Sequence, residues 1–181
     1  FVIFDMFSIN MVTRAGVKAA HAGISGMSAS NRQITQQTIK VLGENILKLI
    51  AERDSSQAEL YFSQKPAGFQ KDFDAMRNDP QLRKIVAQPI MVYGREAGYS
   101  DMFDGEGTAL IHPYPHLEGK NYRIWAKEYP AMWRLVQESF QRDYVSGYYT
   151  FVDRSGKPVE KFMAICRIPN TDFRLVASVS I

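Results

Sequence analysis

Three cationic side chains, Arg95, His112 and Lys161, fall in the part of this chain where aromatic residues are densest. Tyr99, Trp125, Trp133 and Tyr148 are spread through the same stretch. Aromatic walls exclude water, and a cation that meets a carboxylate in such a place gains from the low dielectric. The chemistry these residues could support together is the binding of a small organic anion. Each aromatic taken alone also suits a hydrophobic core, so the reading rests on the group.

Other chemistries lack their residues. The chain has no Gly-x-Gly-x-x-Gly, no phosphate loop ending in Gly-Lys-Ser/Thr and no Gly-x-Ser-x-Gly elbow. Glu128 and Glu138 read as helix-surface charges. With 1 cysteine and 3 histidines, a zinc site would need carboxylates to complete it. His112 and His116 are four apart, but Pro113 and Pro115 forbid the helix that would bring them together. Neither a cofactor nor a metal is expected, and no catalytic role. Cys166 cannot form an intrachain disulfide and, in an alternating apolar run, reads as a small buried hydrophobe. A net charge of +3, with the basic residues scattered, excludes a nucleic-acid stripe.

The elements that must position the candidate residues can be read from turn chemistry and periodicity. Tyr99 to Phe103 and Thr108 to His112 form a hairpin across Asp104-Gly105-Glu106-Gly107, and Pro113 ends it. Tyr122 to Lys127 and Pro130 to Arg142 read as two helices forming a crossover. Tyr144 to Asp153, Val159 to Ile168 and Phe173 to Ile181 then make a three-strand meander, with turns at Arg154 to Pro158 and Pro169 to Asp172. The result is an α+β fold with a five-stranded antiparallel sheet. Ahead of it, Phe69 to Arg77 reads as a short helix, and Asp79-Pro80 starts another.

Residues from Ser8 to Ser63 hold no proline and little turn chemistry, so they read as helix, with a possible break near residues 23–31. Ile39, Leu42, Ile46, Leu49, Ile50 and Arg53 fall along one side of it. That stripe predicts packing against the sheet or against a second copy of the helix. Phe1 to Phe7 is apolar but short, and fits either the end of a transmembrane helix or the start of a packed one. The chain thus divides into a helical segment, 1–63, and a mixed domain, 64–181.

Gly98-Tyr99, Asp104-Gly105-Glu106-Gly107, His112-Pro113 and Glu118-Gly119-Lys120 resemble, in that order, the first hairpin of the extracytoplasmic Cache (PAS-like) sensor domains. Gly147-Tyr148-Tyr149-Thr150-Phe151, Glu160-Lys161-Phe162 and Pro169 to Val176 resemble their last three strands. The likeness covers about half of the chain closely. It implies a long N-terminal helix packed on a PAS-like sheet, a helical crossover over the ligand face, and a homodimer formed through that helix. It also implies a periplasmic or extracellular location between flanking transmembrane helices, and a receptor of chemoreceptor or histidine-kinase type. Tyr122-Arg123-Ile124-Trp125 resembles the Arg-x-Trp-Tyr signature of the amino-acid-binding subgroup. Ala126 stands where its tyrosine belongs, and the aspartate expected near the end of the sheet has no match. The single-module size is similar to Cache domains that take short carboxylates. Arg95, His112 and Lys161 are then the candidates to meet the carboxylate, with Tyr99, Trp125, Trp133 and Tyr148 as walls. The alternative is a ligand-free dimerisation module whose aromatics are core.

Overall fold

A computed structural model of the chain describes residues 29–92, 94–152 and 156–181. The expectations for residues 1–28, and for the tip of the turn at 153–155, lie outside the described residues. Helix α1 (Ala29–Ser63) leads into α2 (Phe73–Asn78) and α3 (Pro80–Val86). A 3-10 turn precedes α2, and the Asp72 carboxylate accepts the Ala75 N–H to start the helix there, which splits the single short helix expected over 69–77. Asp79 caps α3 through the N–H groups of Gln81 and Leu82, with Pro80 in the first turn as the sequence predicts. The same carboxylate accepts the Tyr61 hydroxyl at 2.6 Å and pairs with Lys65 at 2.9 Å, which ties α3 to the end of α1.

The sheet is antiparallel. Its strands are β1 (Pro89–Val92), β2 (Arg95–Phe103), β3 (Ala109–Ile111), β4 (Tyr144–Val152), β5 (Pro158–Arg167) and β6 (Arg174–Ser180). Their order is β1-β2-β6-β5-β4, with β3 also on β2. The five expected strands are present, and β1 is a sixth. It is a short edge strand that opens on Pro89, a place where a missing N–H costs no ladder bond. The β2–β3 turn is built as its residues dictate. Asp104 Oδ1 accepts the N–H groups of Glu106 and Thr108, and Gly107 takes φ 88°, where a side chain would be strained. Helix α4 (Pro130–Ser139) crosses between β3 and β4, and only the 3-10 turn Tyr122–Trp125 stands where the other crossover helix is expected.

Both faces of this sheet are covered. On one side Leu47, Ala51, Ala58 and Phe62 of α1 pack on Phe162, Ala164, Cys166, Leu175 and Ala177. On the other, Met132, Leu135 and Val136 of α4 meet Val145, Met163, Ile165 and Val176. The buried stripe on α1 recurs at spacings of three and four, as a helix face must. Of the stripe read from the sequence, Ile50 packs against this core at its edge. Leu42, Ile46 and Leu49 of that stripe are 55%, 38% and 64% exposed and lie on the far side of the helix. The small Ala51 and Ala58 let the helix backbone approach the sheet, so a weakly hydrophobic face is the one that packs.

Gly98 is held by close backbone approach. A Cβ there would lie 1.9 Å from the Ser178 carbonyl oxygen on the neighbouring strand, and no flexible side chain can yield to it. Gly98→Ala is therefore expected to destabilise the fold by about 2–3 kcal/mol. That corresponds to a melting temperature lower by roughly 5–10 °C, readable by thermal denaturation. A change under about 1 °C would show that β2 and β6 can separate at no cost.

Candidate functional site

Side chains alternate between the two faces of a strand, so register decides which of them meet. Tyr99 and Asp101 on β2, Tyr149 and Phe151 on β4, Met163 on β5, and Val176 and Ser178 on β6 turn to the same side of the sheet. Tyr99 is paired with Ser178, Asp101 with Val176, Met163 with Ser178, and Tyr149 with Lys161. Above them lie Tyr122, Trp125 and Tyr129 of the crossover, and Met132 and Val136 of α4. With His112, Tyr114, His116 and Leu117 they line a cavity of about 330 Å³.

The crossover is fixed over this face by Arg174. Its guanidinium is buried and donates to the carbonyls of Ser139 and Phe140 at the C-terminal end of α4. A cation there also suits the negative end of the helix dipole. His112 is held from outside the cavity. Glu118 accepts the His112 N–H at 2.9 Å and pairs with Arg83 at 2.8 Å, and Arg83 donates to the His112 carbonyl. Glu118 Oε1 thereby replaces a strand partner, which ends β3 at Ile111, one residue before the sequence predicts. Gly119, at φ 80°, turns the chain so that its own N–H reaches the Ala109 carbonyl.

The polar groups of the cavity are few and buried. Asp101 accepts the Tyr122 hydroxyl at 2.7 Å, and the hydroxyls of Tyr149 and Ser178 are 3.0 Å apart. Burial pushes the Asp101 carboxyl up to about 7, against the opposing pull of the Tyr122 hydrogen bond and the Lys161 charge. Burial also pushes His112 down to about 4, helped by the charges of His116, Lys161 and Arg83. His112 Nδ1 accepts the Tyr114 N–H at 2.9 Å, so the neutral ring carries its proton on Nε2. The Lys161 ammonium lies 4.8 Å from the Tyr99 ring centre and 5.7 Å from that of Phe151, and burial lowers its pKa. Among the described residues, no group of three or more His, Cys, Asp or Glu could hold a metal ion.

Of the residues singled out from the sequence, Tyr99, His112 and Trp125 line the cavity, and Lys161 sits against two lining rings. The structure does not bring the other three there. Tyr148 pairs with Phe162, one residue out of phase with Tyr149, and so faces α1, where its hydroxyl donates to Glu44. Trp133 points toward the β2–β3 turn, packing near Gly107 and edge-on to Phe140. Arg95 is exposed at the outer start of β2. Asp101, Tyr122, Tyr149 and Ser178 were not among the expected site residues. Asp101 had a legible signal: it shares a strand face with Tyr99 and Phe103, and a carboxylate amid such residues is buried.

No family model matches the chain, and no curated protein matches it. Among solved structures it is similar to a Cache chemosensory domain studied for carboxylic acid recognition, at 12% identity and a TM-score of 0.49. That alignment covers 86% of this chain and 99% of that one. A periplasmic sensor domain of a chemotaxis protein aligns at 15% identity and a TM-score of 0.46, over 98% of this chain and 99% of the other. The ligand-binding domain of Mlp24 with asparagine aligns at 18% identity and a TM-score of 0.33, over 55% of this chain and 34% of that one.

The depressed His112 pKa makes stability depend on pH with a defined sign. The unfolded imidazole takes its proton near 6.5 and the folded one only near 4, so the contribution is complete above 6.5 and lost as pH falls to 4. The loss is about 3 kcal/mol. Asp101, held near 7, gains stability over the same fall in pH with the opposite sign, so the His112 loss is read as the difference between the natural protein and His112→Gln in urea unfolding at pH 7 and pH 4. Nuclear magnetic resonance should find the His112 ring still neutral at pH 5.5. A ring protonated at pH 6 would contradict the burial argument.

Proposed function

We propose that this chain is the extracytoplasmic ligand-sensing domain of a signal-transduction receptor, of chemoreceptor or sensor-kinase type, and that it binds a small organic anion such as a short carboxylate. The observation that carries the reading is the aromatic-lined cavity on one face of a sheet whose other face carries a long helix. Such an arrangement joins a small-molecule site to an element long enough to report on it. Tyr99 and Trp125 supply walls, the His112 Nε2–H a donor, and the Lys161 ammonium the positive charge that an anion needs.

In this reading residues 64–181 form the sensor proper, and 1–63 the helical segment that pairs with a second copy. Flanking transmembrane helices would lie outside the sequence, with the domain on the periplasmic or extracellular side. Among the described residues, no helix is long and apolar enough to cross a membrane. Support for pairing comes from α1, where Leu42, Ile46, Leu49 and Leu60 share an exposed face opposite the one that packs on the sheet. The same face favours a second reading, a dimerisation module that takes no ligand.

Two measurements separate these readings. A thermal-shift screen of short carboxylates should find a ligand that, at a hundred times its dissociation constant, adds about 2.7 kcal/mol of stability. Lys161→Met should abolish that shift and leave the ligand-free melting temperature nearly unchanged, because methionine keeps the apolar stem. A flat screen favours the ligand-free module. Sedimentation should show a dimer that Leu42→Glu with Leu49→Glu dissociates by at least tenfold in its constant, while ligand binding persists. A monomer at high concentration would rule out pairing through α1.

A further inference from the structure

An anion site with a carboxyl group in its wall poses a problem of charge. Asp101 is 3% exposed, lines the cavity, and has the Tyr122 hydroxyl as its hydrogen-bond donor. Among the described residues no cation lies within ion-pair distance of it. The ionisable and polar groups that face it come from every strand and turn around the cavity. Tyr99 shares its strand, Tyr149 comes from β4, Lys161 from β5, Ser178 from β6 and Tyr122 from the crossover, with His112 also in the lining. His112 is neutral near pH 7, so Lys161 supplies the one ammonium among them.

A carboxylate entering beside an ionised Asp101 would set two negative charges against one ammonium in a dry cavity. An alkylammonium ligand would face Lys161 with like charge. For a ligand whose one charge is its carboxylate, the combination that leaves the site neutral is that carboxylate, one ammonium and an Asp101 that carries its proton. We propose that the cavity takes its ligand as a carboxylate together with one proton from solvent, held between the ligand and the Asp101 carboxyl. Tyr122 donates to one Asp101 oxygen and leaves the other free to carry that proton toward the ligand. The elevated pKa of Asp101 supports this, because the proton is then available near neutrality at little cost. The proposal rests on the anion-sensing reading and adds to it that the domain reports a carboxylate and a proton jointly.

The test is isothermal titration of the full chain with benzoate and with butyrate, from pH 6 to pH 9, in buffers of different ionisation enthalpy. Affinity should be flat below about pH 6.5 and fall toward tenfold per unit above 7, with a loss of about fifty-fold between pH 7 and 9. About one proton should be taken up per ligand at pH 8.5. Asp101→Asn keeps the acceptor for Tyr122 and replaces the titrating O–H by an amide. Its affinity should be constant over the same range, which separates Asp101 from any titration of Lys161. Where that variant does not fold, proton uptake by the natural protein decides alone. Carboxylate binding with affinity independent of pH, or without proton uptake, overturns the proposal and leaves the sensing reading standing. No binding of either acid at pH 6 overturns the anion reading and the proposal with it.

Discussion

The constraint on which the rest of the structure depends is that the β2-β6-β5 sheet centre is buried on both faces. Its strands therefore cannot follow the apolar-in, polar-out alternation of a half-exposed sheet. Phe162 to Cys166 of β5 are buried without interruption, and so are Arg174 to Ser178 of β6. Parity then carries the information that polarity usually carries. Phe162, Ala164 and Cys166 meet the long helix, and Lys161, Met163 and Ile165 meet the cavity side. A register shift of one residue would put Phe162 against the crossover and Lys161 against α1.

Polar groups on so deeply covered a sheet are costly, and their distribution is informative. The α1 side of the core holds Asp54 and Ser55 at the helix and Ser100 on β2, with Ser55 donating to the Arg167 carbonyl. The cavity side gathers Asp101, His112, Lys161, Ser178 and the tyrosine hydroxyls. A fold selected for stability alone would replace Asp101 and Lys161 with apolar residues of similar size, since an imperfectly paired buried charge gives up several kcal/mol of hydration. Asp101 and Lys161 nonetheless stand around one cavity, which makes it the candidate binding site.

Much of this was legible in the sequence. The Asp104 turn, the Asp79-Pro80 cap, the crossover and the three-strand meander all rest on local chemistry, and local chemistry is written in adjacent residues. What was not legible depends on partners distant in the chain. Tyr148 and Tyr149 are both tyrosines in one strand, and only their pairing with Phe162 and Lys161 tells which faces the cavity. The apolar stripe of α1 is plain from its spacing, yet the sheet takes the other face, because Ala51 and Ala58 permit the closer approach. Asp101 could be placed on a buried strand face from its alternation with Tyr99 and Phe103, but its partner, the Tyr122 hydroxyl, comes from a distant turn that alternation does not locate.

The same parity determines how the two faces of the sheet can be coupled. Tyr149 and Lys161 border the cavity side, and their immediate neighbours Tyr148 and Phe162 border α1. Tyr148 donates to Glu44 on that helix and lies under the Lys40 ammonium, 4.1 Å from its ring centre. A displacement of the Tyr149–Lys161 pair cannot be absorbed within the pair, because the backbone between them belongs equally to the next residues. It must move Tyr148 against α1 or be resisted by it. A ligand shifts that balance only by the difference in its affinity for the two helix positions. Because β4 is an edge strand, bonded to β5 alone, it can move with less loss of ladder than any central strand. The cavity is thus walled, on the side nearest the start of the helix, by an edge strand.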